Sequence, residues 1–227
     1  MSTPKPKQIF LIDDHPLMQE GLTRLIEQGG PWQVCGCADT SAKALQLVPG
    51  IQPDLVTMDV SLPDKNGLEL MKDLLALMPD LKILVFSMHD ETLYAERVMR
   101  AGAKGYLMKG ESTSSLIEAI HSILGGGIYL SAKASTHLLK NLSSGKSRGT
   151  LGLDRLSDRE LEIFELIGLG KSNSQIAAQL NISSKTVDAH RANIKTKLDL
   201  PDSSSLMRAA VLWIERGSRP SASASPN

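Results

Sequence analysis

Three aspartates, a serine and a lysine stand where short apolar runs give way to polar sequence. Asp13 and Asp14 follow "IFLI", Asp59 follows "LVTM", Ser87 ends "ILVFS", and Lys109 follows "GYLM". Adjacent acids at the end of a buried segment repel one another and resist desolvation. Three carboxylates gathered in one place stay ionised together only beside a cation. A hard, oxygen-preferring ion such as magnesium (Mg2+) meets that need, with water and phosphate oxygens completing its octahedron. An aspartate can also act as a nucleophile and form an acyl phosphate. In that chemistry Asp59 is the acceptor, Lys109 balances the charge of the arriving phosphoryl group, and Ser87 donates a hydrogen bond to it.

Such convergence needs a scaffold that brings four strand ends to one rim. The apolar runs at 9–12, 34–38, 55–58, 83–88 and 105–108 are short, partly β-branched and not strictly alternating. That pattern suits a parallel sheet covered on both faces. Between them lie helical spacings such as Leu22-Leu25-Ile26, Leu68-Met71-Leu74-Leu75 and Leu116-Ala119-Ile120-Ile123. Strand-then-helix units in a row predict a doubly wound, five-stranded parallel α/β sheet of the flavodoxin-like kind over 1–127. Ligand sites of such sheets lie outside the carboxyl ends of the strands, where the five polar residues fall.

After "LGGG" the pattern changes. Residues 128–152 read as a linker with one helix at 131–142, and "SSGKSRGTLG" is small, polar and glycine-rich. From 153 to 217 only helical spacing remains, in four segments. The first opens with Ser157 and Glu160 in capping-box register. The last ten residues, 218–227, read as a disordered tail.

Composition narrows the classes. The 227 residues are 41% hydrophobic, which excludes a wholly disordered chain and allows two modest domains. Net charge is zero, so a nucleic-acid footprint must be local. No apolar run approaches the roughly 20 residues that span a bilayer, and the start lacks a signal-like apolar stretch, so a cytoplasmic protein is expected. Cys35 and Cys37 lack a second pair or a histidine cluster and read as small buried residues.

The local footprint is found in the helical half. The window 171–197 carries Lys171, Lys185, Arg191, Lys195 and Lys197 against Asp188 alone, a net charge of +4. In 184–198, Val187, Ile194 and Leu198 share an inward stripe. Lys185, Asp188, Ala189, Ala192 and Lys195 lie opposite. Small residues flanked by cations let such a face approach DNA closely. The helix at 173–180 joins by a tight turn, which is helix-turn-helix spacing with 184–198 as the recognition helix. His190 lies at the core edge rather than on the reading face.

The pieces "DDHP", "MDVSLPDKNGLEL", "VFSMHD" and "AGAKGYLMKG" closely resemble the receiver domain of two-component response regulators, over all of the first domain. The stretch from Leu156 to Leu198 resembles the LuxR/FixJ/NarL-type helix-turn-helix. The resemblance implies Asp59 as phosphoacceptor, magnesium held by Asp13, Asp14 and Asp59, and Ser87 and Lys109 contacting the phosphoryl group. Tyr106 matches the switch aromatic that turns inward as Ser87 moves. Ser61 and His89 match positions that tune phosphoryl lifetime. Gly110 departs from the family, where many members carry proline, and leaves the rigidity around Lys109 open. In the second domain, Asp188, Ala189 and Ala192 are implied to reach base edges, with Asp188 accepting from cytosine and Ala189 touching a thymine methyl. Lys185, Thr186, Arg191, Lys195 and Lys197 would hold the phosphate backbone.

The expectation is therefore a bacterial transcriptional regulator, not an enzyme, phosphorylated by a sensor histidine kinase in a phosphorelay. It binds promoter DNA as a homodimer on phosphorylation or DNA binding. The alternative is a phosphorylation-independent DNA-binding regulator with a vestigial receiver.

Overall fold

The computed structural model of the chain describes residues 5–143 and 150–218. It divides into two units, Met1–Ser143 and Ser144–Asn227. The tail from 219 and the centre of the glycine-rich linker lie outside the described residues.

The first unit alternates strand and helix as the periodicity requires. Its strands are β1 (Lys7–Ile12), β2 (Trp32–Ala38), β3 (Leu55–Met58), β4 (Ile83–Ser87) and β5 (Gly105–Met108). Its first five helices are α1 (Pro16–Gly29), α2 (Ser41–Ile51), α3 (Gly67–Leu77), α4 (Glu91–Arg100) and α5 (Thr113–Leu124). All strand pairs are parallel, in the order β2-β1-β3-β4-β5. Ile9, Leu11, Leu84 and Leu107 pack with Leu22 and Ile26 of α1 and Leu116, Ile120 and Ile123 of α5. Alternate residues Phe10, Ile12, Val56, Met58 and Val85 face the other way and are equally buried. This two-sided burial is why the strands read as unbroken apolar runs.

The strand order places the β1 and β3 ends side by side, so Asp13 and Asp59 meet. Backbone bonds carry the ladder past the strand ends. Asp13 donates its N–H to Ala38 at 3.0 Å, Asp59 to Ile12 at 2.9 Å, and Lys109 to Ser87 at 2.8 Å. Asn66 then caps α3 by accepting from the Leu68 N–H at 2.9 Å. Asp64 reaches across and caps α2, accepting from Ser41 N, Ser41 Oγ and Ala42 N. Burial raises the pKa of Asp64, but these bonds outweigh it and hold the carboxyl below its ordinary value.

The helix expected at 131–142 forms as α6 (Ala132–Ser143), yet it belongs to the first unit rather than to a free linker. Tyr129 lies parallel to the β5 edge, accepting from Tyr106 N at 3.0 Å and donating to Lys104 O at 2.9 Å. Ala134 is buried, and Lys133 Nζ lies 3.4 Å from Asp90, the N-cap of α4. A short apolar segment with free strand amides beside it docks for the same reason any strand does.

The cysteines differ slightly from expectation. Both are half-buried on β2, beside an irregularity in the β1–β2 register, and burial pushes both thiols up. Cys35 donates to Ile9 O at 3.3 Å.

The second unit is helical: a short 3-10 helix (Thr150–Arg155), then α7 (Asp158–Gly168), α8 (Asn173–Gln179), α9 (Ser184–Lys197) and α10 (Ser203–Ser218). The Ser157/Glu160 capping box forms as expected. A second box, Ser172/Gln175, opens α8. Between α8 and α9 the chain turns at Asn181, whose φ of 49° is a left-handed value that asparagine tolerates. Phe164 and Trp213 meet edge-to-face at 5.6 Å in the core.

Gly67 leaves no room for a side chain. A Cβ there would lie 2.5 Å from Asp59 O and 2.7 Å from Val60 Cα, both rigid backbone atoms. Gly67→Ala is expected to destabilise the receiver unit by about 2 kcal/mol through overpacking. The urea midpoint followed by far-UV circular dichroism measures it.

Candidate functional site

The acid site is built around one buried ammonium. Lys109 Nζ lies 2.7 Å from Asp13 Oδ2 and 2.5 Å from Asp59 Oδ2, with all three side chains at most 4% exposed. Burial lowers the Lys109 pKa, but the charge and hydrogen bonds of Asp59 and Asp13 outweigh it and hold the amine above its ordinary value. Asp59 Oδ1 accepts from Ser87 Oγ at 2.8 Å and from Ser61 N at 3.2 Å. The strand-end reading is therefore met for Asp13, Asp59, Ser87 and Lys109. Lys109 is fixed by these contacts and its backbone bond, whatever freedom Gly110 brings.

Two of the three carboxylates read as metal ligands fall in one compact group. Asp13, Asp14 and His15 offer ligand atoms within 4.8 Å of one another, and Asp59 is not in that group. Its two oxygens face Lys109, Ser87 and Ser61 instead. Asp14 Oδ1 is buried with no hydrogen-bond partner, although His15 Nδ1 approaches it to 2.7 Å outside hydrogen-bonding alignment. An oxygen-rich cluster with an unsatisfied buried carboxylate oxygen fits a hard divalent cation. His15, which the reading from sequence did not name, completes that group from its place directly after the paired acids.

Beside Asp59, Ser61 Oγ and His89 Nε2 are hydrogen-bonded at 2.9 Å. The His89 ring stacks on Tyr94 at 4.4 Å. Tyr106 is fully buried and donates its hydroxyl to His89 O at 2.8 Å. Tyr106, expected to turn inward as Ser87 moves, is inward here, and Ser87 lies against Asp59. The reason is local: His89 O offers the buried phenol an acceptor.

On α9, Val187 and Ile194 are buried and Leu198 follows them inward. Lys185, Thr186, Asp188, Ala189 and Ala192 are exposed, while Arg191 and Lys195 are half-buried. Lys197 departs from expectation. Its ammonium lies 2.6 Å from Glu160 Oε2, inside the α7 capping box. It therefore braces the domain while its side chain stays partly exposed. His190 sits at the core edge with Nδ1 buried and without a hydrogen-bond partner. Asn173 of α8, which the reading from sequence passed over, reaches α9. Its amide nitrogen donates to Asp188 Oδ1 at 2.5 Å, and its oxygen accepts from Arg191 Nη1 at 3.1 Å.

Comparison with known proteins agrees with this architecture. Residues 9–121 match the response regulator receiver domain, and residues 154–210 match the luxR family of bacterial regulatory proteins. The chain is 34% identical to the transcriptional regulatory protein DegU of Brevibacillus brevis, covering 86% of this chain and 89% of that one. It is also 34% identical to MctR of Rhizobium johnstonii, over 92% and 95% of the two chains. Among solved structures, a LuxR-family two-component response regulator from Aurantimonas sp. SI85-9A1 has a TM-score of 0.58 at 32% identity, covering 61% of this chain and 99% of that one. Salmonella enterica RcsB bound to promoter rprA has a TM-score of 0.62 at 24% identity, over 91% and 98%, which shows the fold alone. The chain belongs to the LuxR-type response regulators: it is a DNA-binding response regulator of the two-component class.

Two groups in the helical unit make it acid-sensitive. Burial lowers His190; Glu160 opposes that, while Arg159 and Lys197 add to it. Burial raises Glu160, but the bonds from Lys197 and Ser157 outweigh it and leave the carboxyl below its ordinary value. Each group binds protons more readily when unfolded. Their stability is present above the unfolded values, about 6.5 and 4.3, and is lost as pH falls toward the depressed folded ones. The unfolding midpoint of this unit, read by Trp213 fluorescence in a Trp32→Phe background, should therefore fall between pH 7 and pH 4. Glu160→Gln should lower the pH 7 midpoint, by about 2 kcal/mol of stability, and flatten the decline below pH 5.

Proposed function

We propose that this regulator is switched by phosphorylation of Asp59. The observation that carries this is the Lys109 ammonium held between the buried carboxylates of Asp13 and Asp59. It marks the place where a further negative group can be received. A sensor histidine kinase is the donor. Asp59 attacks the phosphorus, the phosphorus–nitrogen bond of the phosphohistidine breaks, and the electron pair leaves on the imidazole. Ser87 and the Ser61 N–H, already directed at Asp59 Oδ1, turn to the phosphoryl oxygens. Lys109 remains paired with Asp13 and meets the new charge. Asp13 and Asp14, with Asp59, would hold magnesium, which when bound neutralises charge on the phosphoryl oxygens. Ser61 and His89, hydrogen-bonded beside the acceptor, set how long the acyl phosphate lasts.

The output is promoter binding by a dimer. A solved relative by fold is described as two RcsB dimers bound to two parallel DNAs. Lys185, Thr186, Arg191 and Lys195 hold phosphates, and Asp188, Ala189 and Ala192 face the base edges. Lys197, also read from sequence as a phosphate contact, is paired with Glu160. The protein acts in the cytoplasm as a regulator rather than an enzyme. No helix among the described residues is long and apolar enough to cross a membrane.

A second reading, a regulator that binds DNA without phosphate, draws on the inward Tyr106 and the Ser87 bond to Asp59. One experiment separates the two. Intact mass after incubation with acetyl phosphate and magnesium should show one added phosphoryl group. It should be absent in Asp59→Asn and without magnesium. No gain in the wild type would favour the phosphate-independent reading.

A further inference from the structure

Asp188 and Arg191 lie three residues apart on α9, so their side chains emerge as neighbours of opposite charge. Left to themselves, such a pair tends to close on the helix surface. Here the amide of Asn173 stands between them. Its NH2 holds the carboxylate at 2.5 Å and its oxygen holds the guanidinium at 3.1 Å. The donor and acceptor ends of one amide match the two charges, which also fixes the amide orientation. Asn173 is anchored in turn. It is the first residue of α8, directly after the Ser172 cap, and that capping box uses Ser172 and Gln175 without the Asn173 side chain.

We infer that Asn173 is a specificity-determining positioning residue: it keeps Asp188 and Arg191 from neutralising each other, so that each can meet DNA. This rests on α9 being the recognition helix. Asp188, exposed and pinned through one oxygen, keeps its other lone pairs for a base amino group such as that of cytosine. Arg191, directed by the amide oxygen, keeps further N–H groups for a phosphate. Without the amide, Arg191 falls onto Asp188. One phosphate contact and one base contact are then lost together.

The test uses the full chain, with and without acetyl phosphate and magnesium. The wild type first selects from a pool of randomised duplexes; the enriched duplex and a scrambled control are the probes. Affinities are then measured across a salt series for wild type, Asn173→Ala, Asp188→Ala and the double variant. Asn173→Ser serves as a second replacement should the alanine variant fail to fold by circular dichroism. Asn173→Ala is expected to reduce the slope of log affinity against log salt by about 1. It should also reduce discrimination at one base position by about tenfold. In the Asp188→Ala background the slope should return to the wild-type value, because no carboxylate remains to capture Arg191. A merely structural loss would persist there. Wild-type affinity, slope and preference in Asn173→Ala overturn the proposal, as does a slope defect undiminished in the double variant. Failure of the wild type to enrich any sequence in either condition overturns the recognition-helix reading and the proposal with it.

Discussion

Lys109 carries the arrangement of the first unit. Two carboxylates buried to within a few per cent of full occlusion repel each other and resist leaving water. The ammonium between them makes that burial tolerable. It arrives from the β5 end, while the carboxylates come from β1 and β3, so the strand order and the ion cluster constrain each other. A sheet with another order would leave an acid alone in an apolar wall. Asp59 is also held by Ser87 from β4, and the site thereby ties four adjacent strands at one rim.

The same rim reaches the outer elements through short bonds. His89 lies between Ser61 beside Asp59 and Tyr106 on β5. The next residue, Asp90, caps α4 and pairs with Lys133 of α6. A displacement at the β4 end therefore has a direct mechanical route to α4 and α6. In the helical unit the corresponding role falls to Glu160, where a helix cap and an ion pair with α9 share one carboxylate. That carboxylate ties the end of α9 to the start of α7, beside the buried Val187 and Ile194.

The fold was highly legible because its signals are one-dimensional. Runs such as "IFLI" and "LVTM" announce strands buried on both sides, and a strand end dictates what a following acid can do. Ser157 and Glu160 announced a helix start at the correct residue. What escaped reading depends on distance in space. His15 joins the acids because α1 begins there, and its spacing alone gives no ligand geometry. Lys197 looked like one more cation on a basic face until Glu160, thirty-seven residues earlier, was found beneath it. Asn173 spans to α9 across the α8–α9 turn, a contact with no sequence period. The inward Tyr106 depends on a carbonyl that only the folded β4–α4 loop presents.

The chain beyond α5 has a consequence for the boundaries of the receiver. Tyr129 accepts from one outer amide of β5, that of Tyr106, and its carbonyl comes so close that a Cβ on Gly105 would lie 2.8 Å away. A fragment cut at residue 127, where the α/β periodicity ends, would bare that edge and the α4 flank beneath Ala134. Exposed strand edges template pairing between molecules. The first unit therefore extends through α6, and Tyr129 lengthens the sheet by one bridge at the edge that such a cut would expose.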